Sequence, residues 1–135
     1  MSEERQTKRN ESREDYLEAI LRLGLERPVV RSVDIAEFLG FSKASVSIAM
    51  KKLLEDGYIH RSREGYIMLT DKGLAIAQEI YARHRFFAEH LIGIGIDPQI
   101  AESEACRIEH VISEETFQRL VEANRNAKED THHEN

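Results

Sequence analysis

The sequence predicts a mainly α-helical protein whose first half is a winged helix-turn-helix. Three observations carry that reading. Two short amphipathic segments, VDIAEFLG and FSKASVSIAMKKLLED, are separated only by a turn at Gly40. IHRSREGYIMLT follows at once, with two short strand-like runs on either side of a Gly-containing turn. The rest of the chain shows apolar residues at helical spacing.

The elements follow in order. Residues 1–10 are polar and read as a frayed arm. ESREDYLEAILRLGLE, 11–26, places Tyr16, Leu17, Ile20, Leu21, Leu23 and Leu25 at helical spacing. Ser12 and Asp15 give it a start resembling a capping box. Pro28 punctuates a break. A short helix over 33–40 stops at Gly40. Ser42 caps a second helix that runs to about Asp56, with Gly57 ending it. In the hairpin over 59–70, Gly65 takes the turn. Asp71 then caps a long helix over 72–93, and GIDPQ breaks it. A helix follows from about Pro98 to His110, and another over 113–129 opens on Ser113 as cap with Thr116 three residues on. The tail EDTHHEN reads as loose. The expected division is a winged helix-turn-helix domain over 1–71 and a helical domain over 72–135.

The chain has 135 residues, 41% hydrophobic and 33% charged, enough to bury a real core. No apolar run approaches the ~18 residues that a membrane span needs. The charged N-terminus lacks the apolar stretch of a secretory signal. A single cysteine excludes an internal disulfide framework and suits a cytoplasmic protein. The formal net charge is −6, but it is unevenly placed. Residues 1–90 carry 15 Lys+Arg and 15 Asp+Glu, whereas 91–135 carry 4 and 10. The front is neutral with basic spots, and the acidity lies at the back.

On the second short helix, Val46, Ala49, Met50, Leu53 and Leu54 form a stripe that would pack inward. Ser42, Lys43, Ser45, Ser47 and Lys51 fall on or near the other face. Hydroxyls there can bond phosphates or base edges, and lysines can neutralise phosphate. The hairpin adds His60, Arg61 and Arg63 as a backbone clamp. A polar face with a few cations is also what any solvated helix shows, and it is the adjoining hairpin that favours double-stranded DNA. The segment has no Asn, Gln or Arg, the usual base readers. Phosphate contacts and DNA shape are therefore expected to carry much of the binding.

Metal-ligand residue types recur on three helices. Asp15 and Glu18 share a face of the first. His84 falls on the apolar face of the long helix, among Ala77, Ile80, Tyr81, Phe87, Ala88 and Leu91. In ACRIEHVIS, Cys106, Glu109 and His110 stand at i, i+3 and i+4, again one face. Taken singly, each has a plain reading: surface carboxylates, a core histidine, a packed thiol. Together they are an oxygen-rich donor set, looser than the closed Cys/His spacing of structural zinc and suited to a reversible divalent-metal sensor.

Over roughly residues 12–120 the chain resembles the diphtheria-toxin-repressor family of metal-dependent transcriptional repressors, especially its short manganese-regulator branch. The resemblance rests on EDYLEAI, VDIAEFLGFSKASVS, YIMLTDKGLAIA, ARHRFF and EACRIEHVISEET. It implies metal ligands at Asp15, Glu18, His84, Cys106, Glu109 and His110. The manganese-type motif Glu-x-x-Glu-His is matched at its end by Glu109 and His110, but its first Glu is Cys106 here. The iron-type branch has Cys-x-x-Glu-His, as here, but a Met where this chain has Asp15. The implied site is therefore a hybrid for Mn²⁺ or Fe²⁺. The family pattern also implies a second adjacent ion, with Glu102 as a weaker candidate ligand. The SH3-like domain of longer members is not expected in a chain of this length.

The implied function is that of a homodimeric, metal-loaded repressor of metal homeostasis, not an enzyme and not a membrane protein. In a dimer, the metal would set two recognition helices about one DNA turn apart, ~34–36 Å. Leu91, Ile92, Ile94, Ile96, Ile100, Ile108, Val111, Phe117, Leu120 and Val121 offer the dimer surface, or else close their own core. The rival reading is a winged-helix factor that senses a small organic ligand and has no working metal site.

Overall fold

The computed structural model describes residues 2–133, and side chains over 11–129. Six helices and one hairpin appear among the described residues: α1 Ser2–Glu26, α2 Ser32–Leu39, α3 Lys43–Glu55, β1 Ile59–Arg61, β2 Ile67–Leu69, α4 Asp71–Gly93, α5 Pro98–Val111 and α6 Glu114–His133. The chain divides into two compact units, residues 1–81 and 82–135.

The first unit closes on a core of Leu17, Ile20 and Leu23 from α1, Ile35 from α2, Val46, Met50 and Leu53 from α3, and Ile59 and Ile67 from the hairpin. α2 ends as Gly40 turns into the left-handed region, at φ 71°. Ser42 then caps α3, its hydroxyl accepting the Ser45 N–H at 3.1 Å. The wing pairs antiparallel with His60 opposite Met68. The Ile67 N–H donates to the Val30 carbonyl at 2.7 Å, which ties the wing to the segment after α1.

The join between α3 and α4 is tight. Thr70 Oγ1 donates to the Gly57 carbonyl, and the Thr70 N–H donates to the Tyr58 carbonyl. Lys72 Nζ donates to the Asp56 carbonyl and lies over the Tyr58 ring. A Cβ on Gly73 would stand 2.1 Å from the Tyr58 carbonyl oxygen, so only glycine fits there.

In the second unit, Phe117 of α6 meets the rings of Phe86 and Phe87 on α4. Ala101 and Ala105 of α5 are buried. Asp97 caps α5, with Pro98 in its first turn. Ser113 caps α6 by accepting the Thr116 N–H at 3.1 Å.

Several expectations are corrected. α1 begins at Ser2 and not near Glu11, so Ser12 lies inside the helix and caps nothing. The residues before it contain neither Gly nor Pro, and Glu, Arg, Gln and Lys all sustain a helix. The tail expected to be loose continues α6 to His133, and its last two residues lie outside the described ones. The cap of α4 is Thr70, whose hydroxyl accepts the Gly73 N–H, and Asp71 is the first helical residue. Leu54 is exposed and does not join the inward stripe of α3. On α4, the expected face holds: Ala77, Ile80, His84 and Ala88 are buried.

Candidate metal centre and DNA-reading face

The second unit gathers three of the expected ligands. His84 comes from the middle of α4, and Cys106 and Glu109 from one face of α5, where helical periodicity stacks i and i+3. A donor atom from each lies within 4.8 Å of the other two, a spacing that can hold one ion. His84 is 2% exposed and its ring is held from both sides. Nδ1 lies 2.9 Å from Glu109 Oε2 and 3.6 Å from Cys106 Sγ. Nε2 lies 2.6 Å from Glu102 Oε2. The weaker candidate Glu102 is thus a direct partner of His84, although it reaches the ring from the exposed side.

These neighbours push the His84 pKa up to about 11. The hydrogen bond with Cys106 contributes most and that with Glu109 next, and together they outweigh the opposing effect of burial. The site therefore favours a cation: the imidazole itself is held in its protonated form by thiol and carboxylate groups.

Glu109 is fully buried. Its Oε2 is taken by His84, while its Oε1 makes no hydrogen bond and lies 3.4 Å from His110 Nε2. A buried carboxylate oxygen without a donor is costly unless something positive completes it. The imidazole, carboxylate and thiol donors of the His84–Cys106–Glu109 cluster suit a divalent transition metal. Asp15 and Glu18 belong to the first unit, on α1. Asp15 is half-buried, and Glu18 is buried at 5% exposure, unusual for an ionisable side chain.

The pattern reading missed Arg83. Its buried guanidinium donates to the backbone carbonyls of Glu109 and Ile112, pairs with Glu114 Oε2 at 2.8 Å and lies over the Phe117 ring. It pins the end of α5, where Glu109 and His110 stand, to the start of α6. Arginines stand on both sides of His84 in the sequence, and nothing there marks Arg83 as the buried one.

On α3, Lys43, Ser45, Ser47 and Lys51 are exposed, as expected for a DNA-reading face. Ser42 is exposed too, but its hydroxyl is engaged at the helix cap and with Ser45 Oγ. His60, Arg61 and Arg63 are exposed on the wing.

A helix-turn-helix with a basic wing, followed by a unit that gathers residues able to hold a metal ion, points to a class: the metal-dependent, DNA-binding transcriptional regulators. Residues 9–66 match the model for the N-terminal DNA binding domain of iron dependent repressors, and residues 70–135 match that for their metal binding and dimerisation domain. The chain belongs to the iron-dependent repressor family. It is 36% identical over 113 residues to the transcriptional regulator MntR of Salmonella typhimurium, covering 84% of this chain and 72% of that one. It is 39% identical over 111 residues to the diphtheria toxin repressor of Corynebacterium efficiens, covering 81% of this chain and 48% of the relative. Its fold matches a manganese-dependent transcriptional repressor solved in complex with manganese, with a TM-score of 0.72 at 28% identity, over 79% of this chain and 50% of that one. The chain thus spans about half the length of the diphtheria toxin repressor and of that solved structure. No helix among the described residues is long and apolar enough to cross a membrane.

Proposed function

We propose that this protein is a cytoplasmic, homodimeric repressor that binds operator DNA when loaded with Mn²⁺ or Fe²⁺, and that it has no catalytic activity. The observation that carries the reading is the His84–Cys106–Glu109 cluster, in which His84 and Glu109 are buried and one Glu109 oxygen has no hydrogen bond. We assign the ligands as Asp15, Glu18, His84, Cys106, Glu109 and His110, with room in that donor set for two adjacent ions. The first two rest on the resemblance and on the burial of Glu18. A bound divalent ion would supply positive charge that the carboxylates and thiolate of this donor set can share.

The chain's own residues do the rest. Glu109 and Cys106 orient the His84 ring, and Arg83 holds the end of α5 in place. Lys43 and Lys51 on α3 and Arg61 and Arg63 on the wing engage phosphate, while Ser45 and Ser47 meet phosphate or base edges. Residues 1–71 serve as the DNA-binding part and 72–135 as the metal-binding and dimerisation part. A bound metal would favour the DNA-competent arrangement by binding it more tightly. Ile92, Ile94, Ile100, Val111 and Leu120 remain exposed on the second unit, apolar surface that a partner subunit would cover.

One observation favours the rival reading. An open, mainly apolar groove of about 370 Å³ lies in the first unit between α1 and the wing, lined by Ile20, Leu25, Val29, Tyr66 and Met68 among others. One experiment separates the two. Operator affinity is measured at fixed salt in chelator, then with Mn²⁺, Fe²⁺ and Zn²⁺ in turn. Binding that needs metal supports the sensor. Equal binding with and without metal overturns it in favour of an organic effector.

A further inference from the structure

Ile48 is 73% exposed at the centre of α3. Nothing in the fold accounts for it. A β-branched side chain lowers helix propensity slightly, and an exposed apolar one contributes nothing to the core. The buried residues Val46, Met50 and Leu53 define the inner face, and Ile48 lies on the opposite one with Ala44 and Lys51. Lys43 and Lys51 flank it, both exposed and neither ion-paired among the described residues. No acidic residue occurs from Ser42 to Lys52. The surface is therefore an apolar knob between two free cations, complementary to a polyanion with an apolar feature between its charged rims. The major groove of DNA has that form, with phosphates on both sides and the C5-methyl of thymine in its floor.

The other groups on this face discriminate bases poorly. α3 has no Asn, Gln or Arg to bond a base edge in bidentate fashion. The Ser42 hydroxyl donates to Ser45 Oγ and accepts the Ser45 N–H, which leaves Ser45 its hydroxyl proton, a donor that phosphate or any base acceptor can take. Hydroxyls both donate and accept, so Ser47 tolerates every base. What remains selective is apolar contact. We propose that Ile48 is the specificity-determining residue of α3 and that it reads a thymine in each operator half-site through its methyl group. This rests on the DNA-binding reading of α3 given above.

The test begins by selecting tight duplexes from a random pool with the full-length protein and Mn²⁺. Each thymine of the winner is then replaced by deoxyuridine, which pairs identically but lacks the methyl. One thymine per half-site is expected at which the change weakens binding about fourfold, the value of one methyl group kept from water. The I48A protein should bind the thymine duplex more weakly and no longer respond to deoxyuridine there. I48Q should move the selected base towards adenine at that position. A selected duplex without thymine, or a wild-type protein indifferent to deoxyuridine everywhere, overturns the role of Ile48 and leaves DNA binding intact. An I48A protein that still responds to deoxyuridine overturns it too. Failure to select any duplex, with Mn²⁺ or with Fe²⁺, overturns the DNA reading itself.

Discussion

Replacing Arg83 with Met is the most informative perturbation of the second unit. Met keeps an unbranched stem of similar length, so packing against Phe117 is largely retained. What is lost is the guanidinium fork: two bonds to the carbonyls of Glu109 and Ile112 and the pair with Glu114. Glu114 is more than half exposed, so that pair contributes little, under ~1 kcal/mol. The two carbonyls matter more. Each buried acceptor left without its donor costs about 1–3 kcal/mol. Both lie at the end of α5, where water can replace part of the loss, and this places the total near ~3 kcal/mol. Urea denaturation of the metal-free protein at fixed concentration reads this directly. Manganese affinity should fall about tenfold as well, because Glu109 and His110 lose the anchor of their helix end. R83K should recover only part of either loss, since an ammonium cannot fork to two carbonyls and a carboxylate. A stability change below ~1 kcal/mol at constant m-value, with unaltered metal affinity, would refute the reasoning.

Two further predictions concern the donor set. The Cys106→Ser variant should fold normally, because Cys106 is exposed, and should shift metal preference away from Zn²⁺ and towards Mn²⁺ as a soft donor gives way to a hard one. Competition titrations check this, and an unchanged Mn²⁺/Zn²⁺ ratio would sink it. Metal affinity should also rise with pH. The His84 pKa is raised from 6.5 to about 11 in the metal-free protein, so between those values a proton must leave the ring before it can ligate. The same shift stabilises the metal-free fold fully below pH ~6.5 and progressively less as pH climbs towards 11. Titrations at pH 6.5, 7.5 and 8.5 should show roughly a tenfold gain in affinity per unit from His84 alone. A flat profile would show that the ring is already neutral.

Much of this was legible in the sequence because it is local. Helical spacing put His84 on the buried face of α4 and Cys106 and Glu109 on one face of α5, and both hold in the structure. The Gly40 turn, the Ser42 cap and the hairpin about Gly65 follow from backbone conformations that few residues adopt. The errors arose where neighbours compete or distant atoms meet. Thr70 and Asp71 are adjacent cap candidates, and only contact with Gly57 and Gly73 selects Thr70. Leu54 and Ile48 are both apolar, and periodicity assigned Leu54 to the core although it stays exposed. Arg83 reaches carbonyls 26 and 29 residues away, a relation no window of sequence displays. At the N-terminus polarity suggests a frayed arm, but polarity alone does not end a helix in the absence of Gly or Pro.

The seam at Tyr58 and Gly73 has a mechanical meaning. Carbonyls of Asp56, Gly57 and Tyr58, just past α3, are gripped by Lys72 and Thr70 at the entry to α4, and the absent side chain of Gly73 leaves no gap between the two. Such a joint has no slack to absorb a small rotation. It behaves as a welded corner and not as a hinge, so the first turns of α4 act as a lever arm on α3. Within the first unit, whatever turns the start of α4 therefore turns α3 with it.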